Sequence, residues 1–220
     1  MVFDVARPLG ARQGEGDVNL LGLIPIGRAV DSEVPNAIGL SGNQFEWAPE
    51  YEYAIRDNFA VQFQLPFESK TLDSYRGATQ VTFGTAFDNK FIHGAQFVVQ
   101  YDREPATWLP MALYLAGVRF NDTWSALAMI GVRGDTGAIH AGDRVQRILN
   151  ITLFADITHT TTFGLETNLA DSMSGNASLL VMPQMHWELT DHLLLQLGAG
   201  GQFTADGSRG MGGFRLMRSF

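Results

Sequence analysis

Five short polar turns, each set between aromatic or aliphatic flanks, recur along this chain: Ile55-RDN-Phe59, Phe87-DNK-Phe91, Phe120-NDT-Trp124, Ile157-THTTT-Phe163 and Leu189-TDH-Leu193. With Asp57, Asn89, Asp122, His159 and Asp191 as centres, the intervals are 32, 33, 37 and 32 residues. Each interval has room for two strands of about ten residues and one looser connection. Asn and Asp suit such turns because their side chains bond the local backbone and tolerate positive φ. A chain punctuated in this way is a series of hairpins.

The looser connections fall between the tight turns, near Ala29 to Gly42, Glu68 to Ser74, Arg103 to Ala106, Gly134 to Gly142, Asp171 to Asn176 and Asp206 to Ser208. The predicted strands are 17–28, 43–55, 59–67, 75–87, 91–102, 107–120, 124–133, 144–157, 161–170, 177–189, 193–204 and 209–220. A β-propeller also repeats every 40 or so residues, but its unit is four strands and no blade signature recurs here.

Within these strands one alternate row is apolar. It reads Phe45, Trp47, Pro49, Tyr51, Tyr53, Ile55, then Phe59, Val61, Phe63, Leu65, Phe67, and later Leu193, Leu195, Leu197, Ala199, Phe203. A soluble sandwich alternates too, so the placement of the aromatics decides between them. Tyr53, Phe59, Phe87, Phe91, Phe120, Trp124 and Trp187 sit beside the tight turns, whereas Phe45, Trp47, Phe67, Tyr75, Tyr101, Trp108 and Phe203 sit toward the loops. Two belts of amphipathic rings at the two ends of the strands mark the two headgroup levels of a bilayer. The expected fold is therefore all-β: a transmembrane antiparallel up-and-down β-barrel of about 12 strands over 17–220, with short periplasmic turns and longer extracellular loops, in the bacterial outer membrane.

Composition supports this reading. No apolar run reaches the length of a membrane helix, the longest being LLGLIPI and WLPMALYLAGV. The formal charge of −8 and the lack of any Lys/Arg cluster argue against a nucleic-acid partner. With no cysteine there is no disulfide framework or thiolate metal site. The opening MVFDVARPLGARQGEGDVN lacks the basic start, apolar core and cleavage site of a signal peptide. The expectation is a mature form with an added Met1, which mass spectrometry of the native protein tests. Residues 1–16 read as a periplasmic or lumen-plugging segment. The ending GGFRLMRSF, with Phe214, Leu216 and Phe220 at alternate positions, resembles the outer-membrane assembly signal and makes that machinery an expected partner through Phe220. Arg218 departs from the pattern and reads as a rim residue that snorkels to headgroups.

The complementary row should face the lumen, and it is polar: Glu46, Glu50, Glu52, Gln62, Gln64, Arg76, Gln80, Gln96, Gln100 and Asp102, then Arg119, Arg133, Asn150, Asp156, Glu166, Asn168, Gln184, His186, Glu188, Gln196, Gln202 and Arg215. Buried charges need partners or water. The three glutamates read either as a cation-favouring wall or as part of a network with arginines that stiffens and obstructs the barrel. Twelve strands leave a narrow passage at most, since eight are filled by side chains and 16 to 18 leave a channel. One sector differs. Leu109, Met111, Leu113, Leu115, Leu127 and Met129 face inward yet are apolar, which suits either a conduit for a hydrophobic solute or packing against an inward-folded segment.

Catalytic motifs are missing from the sequence: it contains no G-x-S-x-G, H-E-x-x-H, P-loop or cysteine zinc pattern. His93 falls on the lipid row with no serine on the outward rows beside it, and His140, His159 and His192 fall in loops or turns. In Met182-Pro-Gln-Met185-His186 only Met182 and His186 share a face, too few for a soft-metal site. Pro183 removes a ladder donor and is expected to mark a bulge. No catalytic residue, metal or cofactor is predicted.

The stretch FEWAPEYEYAIRDNFAVQFQLPFES, with VTFGTAF and FIHGAQFVVQYD after it, resembles outer-membrane transporters of the phenol-degradation meta-pathway type, over about Asp17 to Tyr101. The resemblance implies a channel for aromatic or other hydrophobic compounds. The expected function is passive passage of small molecules through the outer membrane, with the lipid bilayer and a small solute as partners. The alternative is a structural barrel that sheathes or docks a periplasmic or electron-carrying partner.

Overall fold

A computed structural model describes residues 9–26, 44–175, 177–205 and 207–220. Twelve strands build the wall: β1 (Gly16–Ile26), β2 (Glu46–Arg56), β3 (Phe59–Gln64), β4 (Ser74–Ala86), β5 (Phe91–Asp102), β6 (Thr107–Arg119), β7 (Trp124–Gly134), β8 (Val145–Asp156), β9 (Thr161–Ser172), β10 (Ala177–Thr190), β11 (Leu193–Thr204) and β12 (Gly207–Ser219). Each strand pairs antiparallel with the next, and β1 pairs with β12 on one side and β2 on the other, so the sheet closes. Closure leaves no open edge in lipid, where an unpaired backbone N–H or C=O finds no water. A twelve-residue strand is roughly 40 Å long and, tilted by about 45°, spans about 28 Å, the hydrocarbon thickness of a bilayer.

The register sends alternate residues to opposite sides. On β2, Glu46, Ala48, Glu50, Glu52 and Ala54 are buried inside while Tyr51 and Ile55 are exposed outside. Large apolar side chains such as Phe63, Phe97, Ile130, Phe163 and Leu197 lie bare on the outer wall. A soluble protein does not display a continuous band of this kind. The rings sort to the two ends: Trp47 stacks on Phe67 at 4.3 Å and Tyr101 meets Trp108 at 4.8 Å by the loops, while Phe87 meets Phe91 at 6.3 Å by a tight turn. The chain is a transmembrane barrel of the bacterial outer membrane, with the tight-turn end periplasmic.

Several local expectations change. The third predicted strand is broken after Gln64, and Phe67–Glu68 pairs back with Thr71–Leu72 as a minimal hairpin where a loop from Glu68 was expected. The step from β11 to β12 is also tight, with Thr204 opposite Gly207, so the loops are not uniformly longer than the turns. Pro183 makes no bulge. The register between β10 and β11 is the same before it, at Val181 opposite Gly201, and after it, at Gln184 opposite Gly198. The bulges lie instead between Ala54 and Arg56, Thr82 and Gly84, and Glu188 and Thr190. Gly84, at φ +147°, adopts a backbone conformation that side chains disfavour. The predicted Ala29 to Gly42 loop and the ends of the flanking strands fall outside the described residues.

Candidate functional site

The interior is assembled from the inward rows of all twelve strands. Its tightest cluster spans the seam where the barrel closes. Asn19 of β1 lies opposite Glu50 of β2, and its amide donates to Glu50 Oε1 at 2.7 Å. Arg215 of β12 reaches across β1 to the same oxygen at 2.8 Å, with both side chains only 3% exposed. A charge-assisted bond between the last strand and the second one thus staples the barrel shut.

A second cluster surrounds Glu166 of β9. Its Oε1 accepts from Asn168 at 2.7 Å and Asn150 at 3.4 Å, and its Oε2 from Gln184 at 3.4 Å. Gln184 in turn accepts from Gln196, extending the network over β8, β9, β10 and β11. On the opposite wall Arg76 donates to Gln64 at 3.1 Å and Gln96 to Gln62 at 3.4 Å. Arg133 holds Gln146, and Arg209 holds Gln202 at 2.8 Å. Burying these groups is tolerable because each donor or acceptor so engaged replaces its lost water.

Of the predicted lumen residues, Glu46, Glu50, Glu52, Gln64, Arg76, Gln80, Gln96, Arg133, Glu166 and Arg215 are buried on the inner face, and Gln62 and His186 are half-buried there. Arg119 and Glu188 differ: both are exposed, near the tight-turn end, and Arg119 faces Asp156 at 3.6 Å. They are rim residues because the strands carry them past the packed interior.

The apolar sector is continuous. Met111, Leu113, Leu115 and Met129 form one buried cluster with Ala78, Val98 and Ile148, and Leu127 is partly buried on the same row. Leu9 packs against this cluster. The segment that follows it, Gly10 to Glu15, is held along the rim beside β2 to β4: Ala54 N–H donates to Glu15 and Gly14 N–H to Ala54, each at 2.9 Å, Gln13 N–H to Asp57 at 2.8 Å, Asn58 N–H to Ala11 at 2.8 Å, and Gly10 N–H to Thr82 Oγ1 at 2.9 Å. Gly94 leaves the space, since a Cβ there would lie 2.3 Å from Val81 O and 2.8 Å from Leu9 Cδ2.

Sequence reasoning missed a second apolar patch, formed by Leu23, Leu180, Met182 and Met211 with Leu21 beside it. Its signal was present: Leu21 and Leu23 share the alternate row of Asp17 and Asn19. Met182 is spent in this patch, while His186 meets Phe154 edge-on at 5.6 Å. His93 is on the outer wall, its Nδ1 bonded to Tyr114 Oη at 2.8 Å.

At the extracellular mouth a cavity of about 210 Å³ is lined by Asp73, Asp102, Glu104 and Asp135 around Arg133 and Leu109. Burial, then repulsion from Asp102 and Glu68, raises the Asp73 carboxyl above the usual carboxylate range, against Ser74 and Arg103, which lower it.

No protein-family model matches the chain, and no relative is found among curated proteins. Among solved structures it is similar to an outer membrane channel from Pseudomonas putida F1, with TM-score 0.71 and 11% identity over 97% of this chain and 98% of that one. It is also similar to the NanC porin, with TM-score 0.64 and 8% identity over 92% and 98%, and to the KdgM porin in complex with disordered oligogalacturonate, with TM-score 0.63 and 8% identity over 90% and 97%. At such identities the likeness is one of fold.

Proposed function

We propose that this barrel is a passive outer-membrane channel for small hydrophobic or aromatic molecules, which travel along the apolar sector of its inner wall. The observation that carries the reading is the inward apolar strip Met111, Leu113, Leu115 and Met129, the one of the two apolar patches that Leu9 packs against. Such a strip has no use for a hydrated ion, whereas methionine and leucine accept apolar solutes of varied shape. The segment 9–15 serves as a plug on this path, with Leu9 occupying the strip until a solute displaces it. Resemblance to the phenol-degradation meta-pathway transporters favours the same solute class, and Phe220, on the outward row of the last turn of wall, serves as the assembly signal.

The test is flux into proteoliposomes of benzenesulfonate, an aromatic whose fixed charge keeps it from crossing bare bilayer, and of glucose, with wild type and Leu113→Asp side by side. Faster entry of the aromatic solute, lost in the variant while glucose entry stays at background, supports the channel. Equal entry of both solutes, or of neither, rejects it. A second reading is favoured by the density of the polar interior, where Glu50 is held by both Arg215 and Asn19. On that reading the barrel is a structural sheath, and the protein stays silent in planar bilayers and copurifies with a partner.

A further inference from the structure

The outer wall carries few ionised groups, and on the extracellular half of its outward strand rows the described residues include one guanidinium, Arg147, and one carboxylate, Asp171. Arg56 and Arg218 lie at the periplasmic rim. Arg147 and Asp171 are directly opposite one another on β8 and β9 and form an ion pair. Arg147 breaks an alternate row that otherwise runs Val145, Leu149, Ile151 and Leu153. A charged pair facing lipid is stable only at headgroup level.

Immediately below the pair is a groove of about 600 Å³. The register defines its walls. Val132, Arg147 and Asp171 lie abreast in one cross-strand row, and Ile130, Leu149 and Leu169 lie abreast in the next, so the groove is apolar with a guanidinium at its extracellular lip. Asp171 takes one side of that guanidinium and sets its direction. The Arg147 side chain is nonetheless 67% exposed, against 29% for Asp171, so the cation is the outer member of the pair and keeps donors to spare.

We propose that this groove is a binding site for an anionic glycolipid of the outer leaflet, with an acyl chain on Ile130, Leu149 and Leu169 and a phosphate on Arg147. The charge, its height on the wall and the apolar floor beneath it together match a lipid whose phosphate lies at headgroup level above its acyl chains. Arg meets phosphate in a two-point fork, and the phosphomonoester of such a glycolipid brings one more free oxygen and more negative charge to it than the phosphodiester of a phospholipid. The site is independent of what the lumen passes.

The test is native mass spectrometry of the detergent-purified, delipidated protein titrated with diphosphorylated lipid A and, separately, with phosphatidylglycerol. A one-to-one lipid A adduct should form at about tenfold lower concentration than the phosphatidylglycerol adduct, and Arg147→Gln should remove about that factor. Arg147→Lys should fall between, and Arg218→Gln, at the other rim, should bind as wild type does. Heat-modifiable migration verifies that each variant is folded. Should Arg147→Gln fail to fold, Leu169→Trp fills the groove with the guanidinium intact and should weaken lipid A alone. Equal uptake of the two lipids by wild type, or equal lipid A uptake by wild type and a folded groove variant, overturns the proposal.

Discussion

At the scale of single residues, position relative to the wall decides what a side chain is worth. Glu50 and Arg215 are each nearly inaccessible and bonded to one another, so removing the carboxylate takes a counter-charge from a buried guanidinium. Glu50→Ala should destabilise the folded barrel by about 3–5 kcal/mol, whereas Glu50→Leu with Arg215→Met should cost much less. Urea titrations of refolded protein in detergent, read by tryptophan fluorescence, measure both. Gly94 acts through space rather than charge. Gly94→Val should press on Val81 O and Leu9 together and cost about 1–3 kcal/mol, read in the same titration. Neither effect is visible in the string of letters, because Glu50 and Arg215 are 165 positions apart and come together only when the barrel closes.

At the scale of elements, the strand rows carry the argument. Val61 and Leu195 belong to outward rows, opposite Tyr53 and Leu216 respectively. Arginine at either position, level with the belt residues Tyr53 and Trp187, should cost up to about 1 kcal/mol, against roughly 2–4 kcal/mol at the mid-strand outward Phe97, where it should reduce the heat-modifiable band on gels and normal migration would contradict the register. The extracellular connections respond to acid instead. Because Asp73 binds its proton more tightly in the folded mouth than in the unfolded chain, its charge opposes folding above the raised value, and this opposition fades as pH falls toward the ordinary carboxylate range. Asp73→Asn should therefore raise the thermal midpoint at neutral pH, with a gain that shrinks in mild acid. Strands and tight turns were legible as elements because alternation and turn chemistry are local. The Phe67–Glu68 hairpin and the tight β11–β12 step were not, since pairing partners set them rather than composition.

At the scale of the whole molecule, a polar interior and an apolar exterior are the inverse of a soluble core, and both follow from the solvent around them. The lumen is divided into polar networks on several strands and two apolar patches, one of them holding Leu9. If Glu46, Glu50 and Glu52 act as a selecting wall, changing all three to Gln shifts the reversal potential in a salt gradient. If they act through the seam, selectivity stays constant and stability falls. The engagement of Glu50 by Arg215 and Asn19 points to the second outcome. Planar-bilayer recordings beside a urea titration separate the two.

The period of the turns, the alternation of the rows and the two aromatic belts determined the barrel, its strand number and its compartment, because each is a local consequence of a backbone that must satisfy itself in lipid. Which inward residues meet was decided by tertiary structure alone. Closure brings β12 beside β1, the strand tilt sets which rows share a height, and the leading segment is held along the rim. The division of the lumen into seam, amide network and apolar patches therefore depends on contacts between strands far apart in the chain, and no pattern of period two encodes them.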